Sequence, residues 1–187
     1  NQAELDKLIQ GLWEAEHIGL AISNSSPPGA GQQQSTRDEH GARGIAFSSS
    51  AGNSAFVDLE NFVEGKAAAL ASLRELLGNG LLEKSVHDLK RAVALLTPLD
   101  VELAGVADDT LIAAYILDPT RSKYELSDLA GEAVGAEGVD PPSGGWDEPA
   151  WQTTEAADWT AQVAKELSKR IDERAILRAV NLDIPAG

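Results

Sequence analysis

Side chains that could take part in catalysis or bind a metal occur at two places in the sequence. Asp108 and Asp109 follow the apolar run VELAGVA, and Asp38, Glu39 and His40 form a cluster within a polar stretch. Two adjacent carboxylates suit acid–base chemistry, and oxygen and imidazole ligands together can bind a cation. The alternative for the aspartate pair is an N-cap, because the helical pattern TLIAAYIL follows at once. We favour the cap, and we expect the loop cluster to be solvated.

Side chains that could contact a nucleic acid are also present. Tryptophan rings can stack on bases, and lysine and arginine can contact phosphates. The chain has 15 basic and 30 acidic residues, and its net charge of −15 argues against electrostatically driven nucleic-acid binding. Trp13 and Trp159 stand at helical spacing, so we expect them in the core. The full set of candidates is Trp13, Trp146, Trp151, Trp159, Lys84, Lys90, Arg91 and Lys123.

Length and composition narrow the class of protein. A chain of 187 residues is long enough for one domain, residues 1–187, with its own core. No apolar run reaches the length of a membrane span, and no signal peptide is apparent at the start. The absence of cysteine excludes a disulfide framework and a thiolate zinc site, and it is consistent with a cytoplasmic protein. We expect the chain to be a piece cut from a longer one.

The first part of the chain has the periodicities of a helix, a strand and a hairpin. Apolar residues at helical spacing predict an amphipathic helix over 3–16, and residues 17–23 have the pattern of a buried strand. The composition of 26–42 is typical of a loop. Residues 43–59 alternate around a turn and predict a hairpin beside the first strand. A helix is predicted over 61–77, and the GNG that follows ends it.

The second part of the chain, from Lys84 onward, predicts strand, helix, strand, helix, turn and helix. Residues 87–96 place Leu89, Ala92, Val93 and Leu96 on one helical face, and 101–107 is a short apolar run of strand type. Asp118-Pro119 ends the next helix, and Ser127 can cap the one after it. A long helix from about 150 to 169 or beyond has apolar residues every fourth position. They are Trp159, Val163, Leu167 and Ile171.

Three motifs in this block occur in the order DLKRA, DTLIAAYILDP and YELSDLA. Their order and spacing resemble the N-L-K-x-D, D-T-x-L-x-x-Y-x-L-D-P and Y-x-L-x-x-L-A motifs of the 3′–5′ exonuclease domain of bacterial family A DNA polymerases, the DNA polymerase I type. The segment AVNLDIPAG also resembles that family's N-I-E-x-P-L segment. The resemblance implies an α/β fold like ribonuclease H and the DnaQ-type exonucleases, with a central mixed sheet flanked by helices.

The resemblance also assigns the positions of the family's catalytic residues. The Asp-x-Glu pair of the first motif corresponds to Ser23 and Ser25, and the Asp of the second motif corresponds to Ala92. The Tyr and Asp of the third motif correspond to Gln152 and Ala156. The family uses two divalent metal ions such as Mg²⁺, and hard cations favour carboxylate oxygens over neutral hydroxyls. These substitutions imply a degenerate site with no catalytic residue, no metal and no cofactor in this domain.

The expected function is therefore that of a vestigial exonuclease domain with a structural role. Its expected partner is the polymerase domain of the same parent chain, with DNA contacted through the parent enzyme and no membrane involved. One alternative is an active 3′–5′ exonuclease with displaced ligands. Another is a nucleic-acid-binding module that does not cleave. The substitute ligands would be Asp38, Glu39, Asp88, Glu155 and Asp158.

Overall fold

The computed structural model describes residues 1–24, 41–144 and 146–182, which form a five-stranded sheet with helices on both faces. The strands are β1 His17–Asn24, β2 Ala42–Ser50, β3 Asn53–Asp58, β4 Glu83–Val86 and β5 Val106–Asp109. The helices are α1 Gln2–Trp13, α2 Lys66–Gly78, α3 Leu89–Leu96, α4 Thr110–Leu117, α5 Leu126–Val134 and α6 Glu148–Leu182. A short 3₁₀ turn, Thr97–Leu99, follows α3.

The sheet is mixed, with the spatial order β3-β2-β1-β4-β5. β1 runs antiparallel to β2 and parallel to β4, and β3 and β5 continue these two halves outward. Gly19 pairs with Ser48 of β2 on one side and with Ser85 of β4 on the other. The predicted α/β fold with a central mixed sheet is confirmed, as is the predicted position of the first strand beside the hairpin.

Alternate residues of β1 face two different layers, as the pleat of a strand requires. Ile18 and Leu20 are 0% and 1% exposed and belong to the main core with the leucines of α1, α2 and α3. Gly19 faces the opposite layer, in which α6 crosses the sheet. The packing there is so close that a Cβ on Gly19 would be 2.2 Å from the Ala157 carbonyl oxygen. The absence of a side chain at Gly19 therefore fixes how near α6 lies to β1.

Two predicted elements begin five residues later in the chain than the sequence pattern indicates. α2 begins at Lys66 rather than at 61, because the chain first turns at Gly65, whose amide donates to the Phe62 carbonyl at 2.9 Å. The strand predicted over 101–107 is wrong for its first part, since β5 begins at Val106. The backbone before β5 is not part of the sheet. There the Ala104 carbonyl accepts a hydrogen bond from the Lys84 Nζ at 2.8 Å.

Other predictions are corrected at single residues. α3 begins at Leu89, and Val93 is 43% exposed while Leu95 is 1% exposed, so the predicted buried face is rotated. Ser127 lies inside α5, which begins at Leu126, and does not cap it. Trp13 is 39% exposed and is not a core residue.

The remaining helix predictions hold. α1 is confirmed but ends at Trp13 rather than at 16, the end of α2 is confirmed, and α6 reaches Leu182. The loop predicted over 26–42 lies mostly outside the described residues, as does the cluster at 38–40. Within the described part of the chain, none of the helices combines the length and the apolar character needed to cross a membrane.

Candidate functional site

An open groove of about 540 Å³ lies where β1, the start of α3 and α6 meet. We call it the β1–α6 groove. The segment between α4 and α5 also lines it. Its lining residues are Leu20, Ala21, Ile22, His87, Asp88, Arg91, Leu111, Ser122, Lys123, Tyr124, Glu125, Leu126, Ala156 and Thr160.

The structure brings two small residues together at this groove, Ala21 from β1 and Ala156 from α6. Ser23 lies two residues further along β1, where its hydroxyl donates to the Gly44 carbonyl at 3.4 Å. Ser25 lies outside the described residues. The alternation of side chains along β1 would have predicted the position of Ala21. Because Ile18 and Leu20 fill the core, the odd-numbered residues must face α6.

The remaining two positions that the resemblance assigns lie close to the groove without lining it. Ala92 is 8% exposed on the inner side of α3, one turn after Asp88. Its burial agrees with the apolar helix face expected there. Gln152 is exposed one turn before Ala156, and its Nε2 donates to the Glu148 carboxylate at 3.0 Å.

The aspartates at the start of α3 and α4 act as helix caps. Asp109 accepts hydrogen bonds from the amides of Asp88, Leu89 and Leu111 at 3.0, 2.8 and 3.0 Å. Asp88 has a left-handed backbone with φ of 72° and accepts from the Arg91 amide at 3.1 Å. Asp108 instead accepts from the Ser168 hydroxyl at 2.7 Å. The cap interpretation of the aspartate pair is confirmed at Asp109.

The other described carboxylates that could replace lost ligands accept hydrogen bonds from groups of the protein itself. Glu155 accepts a hydrogen bond from the Val139 amide at 2.9 Å. Asp158 accepts from the Ser48 hydroxyl and the Gly52 amide, both at 3.0 Å. Among the described residues, no three His, Asp or Glu side chains are grouped closely enough to hold a metal ion.

Comparison with known proteins identifies the family. A family profile described as "DNA polymerase I, ribonuclease H-like domain" matches residues 35–140. The chain belongs to this family. The predicted resemblance to the exonuclease domain of DNA polymerase I is thereby confirmed.

The curated relatives are much longer than this chain. DNA polymerase I of Mycobacterium bovis is 29% identical over 124 residues, which are 63% of this chain and 12% of the relative. DNA polymerase I of Pseudomonas aeruginosa is 28% identical over 143 residues, covering 72% of this chain and 15% of the relative. This ribonuclease H-like domain thus spans about an eighth of the length of such relatives.

Solved structures share the fold of this domain. The POL domain of Pol1 from M. smegmatis, in complex with DNA primer-template and dNTP, matches 91% of this chain and 26% of its own, with a TM-score of 0.70 and 20% identity. Trypanosoma brucei RNase D matches 90% of this chain and 61% of its own, with a TM-score of 0.64 and 17% identity. At these identities the likeness concerns the fold alone, and it confirms the ribonuclease H-like architecture.

The charges at the groove of this ribonuclease H-like domain are mixed. Arg91 and Lys123 line it beside Asp88 and Glu125. Burial lowers the pKa of His87 below its usual value, against the opposing effect of Asp109 and Asp88, and its Nδ1 lies 2.8 Å from the Thr110 hydroxyl. The imidazole is therefore neutral at pH 7.

Of the other two basic candidates, Lys90 is exposed on α3, and Lys84 is fully buried away from the groove. The Lys84 Nζ donates to the carbonyls of Asn79, Leu82 and Ala104 at 2.8 to 2.9 Å, and burial lowers its pKa. Its role is to join two loops at one end of the sheet.

Three of the four tryptophans have packing partners near α6. Trp146 and Trp151 form an edge-to-face pair with ring centroids 5.6 Å apart, and Trp151 Nε1 donates to the Val139 carbonyl at 2.8 Å. Trp159 packs against the smaller core between α4, α5 and α6. These contacts hold the connection before α6 against the helix, a role that sequence spacing alone does not reveal.

Proposed function

We propose that this chain is a DNA polymerase I ribonuclease H-like domain that does not hydrolyse DNA and has a structural role in a parent enzyme. The parent carries out template-directed DNA synthesis in the cytoplasm, and this domain needs no metal or cofactor. The observation that carries the proposal is that two alanines, Ala21 of β1 and Ala156 of α6, both line the β1–α6 groove.

The chemistry of the family explains why these residue types matter. Two-metal hydrolysis of a phosphodiester needs carboxylates that hold two cations about 4 Å apart, so that one activates a water and the other stabilises the leaving oxygen. Alanine and serine side chains supply no such charge at Ser23, Ala92 or Ala156. Of the two acidic side chains that line the groove, Asp88 and Glu125, the first already caps α3.

The proposal is tested with a labelled single-stranded oligonucleotide incubated with excess domain and Mg²⁺ or Mn²⁺. We expect no stepwise shortening from the 3′ end. Shortening that co-purifies with the domain and stops when a chelator is added would contradict the proposal. Calorimetric titration with Mn²⁺ is a second test: we expect no stoichiometric site, and one that disappears in Asp88→Asn would support displaced ligands.

The active alternative needs substitute ligands, and three of its five candidates already bind protein groups. Asp88 and Glu155 accept backbone amides, and Asp158 accepts a hydroxyl and an amide. Asp38 and Glu39 lie outside the described residues. If cleavage is observed, the double variant Asp38→Asn/Glu39→Gln decides whether the loop cluster supplies the ligands.

The binding alternative has one observation in its favour, since Arg91, Lys123 and Tyr124 line the groove together. Basic and aromatic side chains are the usual contacts for single strands. The net charge of −15 opposes such binding, because each phosphate contact depends on local positive potential. We expect affinity weaker than micromolar at about 0.15 M salt. Tighter binding that is lost in Arg91→Gln/Lys123→Gln would favour the binding module.

A further inference from the structure

The outer face of α4 is apolar although it faces solvent. The helix Thr110–Leu117 contains no charged residue. Ile112, Tyr115 and Ile116 are 53%, 56% and 53% exposed, and among the side chains that the structure describes no other helix has as many exposed large apolar residues. Their spacing of i, i+3 and i+4 places them side by side on one face. We call these three residues the α4 stripe.

The stripe is not needed for the packing of α4 within the domain. The opposite side of the helix is already buried: Thr110 and Ala114 are 0% and 4% exposed, and Ala114 packs with Leu129 and Val163. A helix with one packed face normally has a polar outer face, and an outward apolar group marks a contact surface. Part of the exposed side of α6 follows that rule with the Lys169–Glu173 pair, although Ile176 further along the helix is 63% exposed.

A second copy of this chain is a poor occupant of the stripe. Each copy has a net charge of −15, so two copies repel each other at ordinary ionic strength. Three exposed side chains also supply too little area for a stable dimer, which buries about 800 Å² on each partner. An occupant held in the same polypeptide needs far less area, because a linker raises the effective concentration to about the millimolar range.

The relatives indicate what the same polypeptide contains. This chain spans 12% of the M. bovis DNA polymerase I, and its fold covers 26% of the M. smegmatis chain described as the POL domain of Pol1 bound to DNA. Interfaces between domains of one chain are typically 600–1,500 Å², which a helix face and its surroundings can provide. Arg174 of α6 donates to the Ile116 carbonyl at 3.2 Å, so the late part of α6 passes the end of the stripe.

We infer that the α4 stripe is the surface on which the polymerase region of the same polypeptide docks. This inference rests on the proposed structural role and specifies where that role is exerted. The isoleucines would be inserted into the partner surface, and Tyr115 would lie at the margin, with its ring 6.0 Å from that of Tyr124.

The test compares hydrogen exchange in the complete polypeptide that contains this chain and its polymerase region with exchange in the 187-residue chain alone. We expect amides of 110–117 to exchange at least tenfold more slowly in the complete polypeptide. The double variant Ile112→Lys/Ile116→Lys should abolish that difference. The matched control is Val93→Lys, which also replaces an exposed apolar residue of a helix, 43% exposed, and should leave the difference unchanged.

Because these side chains are exposed, the variants should leave the melting temperature of the 187-residue chain unchanged within a few degrees. Equal exchange of 110–117 in both proteins would overturn the docking inference and leave the inactive-exonuclease proposal intact. A self-association of the 187-residue chain that Ile116→Lys removes would also overturn it, in favour of a second copy. Conversely, oligonucleotide cleavage together with a protected stripe would reject inactivity and support docking.

Discussion

The two faces of β1 are built from different kinds of residue. On one face, Ile18 and Leu20 are 0% and 1% exposed in a core of large aliphatic side chains. On the other face, Gly19 and Ala21 contribute almost no volume, so α6 lies directly on the strand at Gly19 and the groove opens beside Ala21. The first face supplies most of the burial that stabilises the sheet. The second determines what chemistry can occur, because small side chains leave room without supplying ligands.

The largest expected effect comes from adding one carbon to the groove face. Gly19→Ala would place a Cβ 2.2 Å from the Ala157 carbonyl oxygen and 2.8 Å from the Ala161 Cβ, so α6 must move. We expect a loss of about 3 kcal/mol in the free energy of unfolding, measured by urea denaturation. Ile18→Val removes one carbon from the core face and should cost about 1 kcal/mol.

Gly11→Ala is the matched control for the glycine change. Gly11 lies in α1, and a Cβ there meets no atom within 4 Å. Alanine is a better helix former than glycine, so this variant should gain about 0.5–1 kcal/mol. A cost for Gly19→Ala no larger than that of Ile18→Val would show that α6 does not rest tightly on β1, and the contrast between the two faces would fail.

The second effect concerns the helix starts at the edge of the groove. Asp109→Ala removes the acceptor of three backbone amides, those of Asp88, Leu89 and Leu111. Loss of an N-cap and of partners for partly buried amides should reduce the free energy of unfolding by about 2 kcal/mol. Asp108→Ala, which loses a single hydroxyl donor from Ser168, should cost about half as much. Equal costs would contradict the capping role assigned to Asp109.

The fold was largely predictable because its signals are local. The apolar alternation around Ile18 and Leu20 predicts β1, and an aspartate before TLIAAYIL predicts the start of α4. The family motifs lie within residues 88–130, the region that includes α4. Local patterns therefore recovered the order of elements and the sheet, with errors confined mainly to element ends.

The predictions that failed concern features that depend on contacts between distant residues or on backbone geometry. Asp88 has a left-handed backbone and is the N-cap of α3, which begins at Leu89, and on this helix Leu95 is buried instead of Val93. Ser48 and Gly52, which donate to Asp158, are 110 and 106 residues away along the chain, so sequence spacing cannot reveal that Asp158 holds the β2–β3 turn. The groove could be placed only in part, because which residue of β1 faces α6 depends on the sheet.

A third experiment sharpens the comparison at the groove itself. Ala21→Asp/Ala156→Asp places two carboxylates on residues that both line the groove, whereas Ser23→Asp/Ala156→Asp places one of them further along β1. We expect the first variant to bind Mn²⁺ at least tenfold more tightly than the second, measured by calorimetry, because hard cations need converging carboxylate oxygens. Equal affinities for Mn²⁺ would show that position 21 is no better placed than position 23 to share a cation with position 156. Neither variant should cleave an oligonucleotide, since one carboxylate pair cannot hold two metal ions.

The smallest expected effect is a dependence of stability on pH that arises from His87 at the same groove. Burial lowers the pKa of His87 below its usual value of 6.5, while Asp109 and Asp88 act in the opposite direction. As pH falls through about 6.5, the unfolded chain takes up a proton on this residue before the folded chain does. The free energy of unfolding should therefore decrease as the pH falls from about 6.5 to the lower pKa of His87 in the folded chain. Below that pKa the imidazole is protonated in both states, and His87 contributes no further change. His87→Gln keeps a polar side chain near the Thr110 hydroxyl and should show a shallower decrease in urea titrations between about pH 7.5 and about pH 5.5.

His17→Gln is the matched histidine control, with its ring at the other end of β1 beside Ser85 and Glu83. A wild-type profile that His87→Gln leaves unchanged would show that the imidazole is hydrated at the groove face rather than buried there.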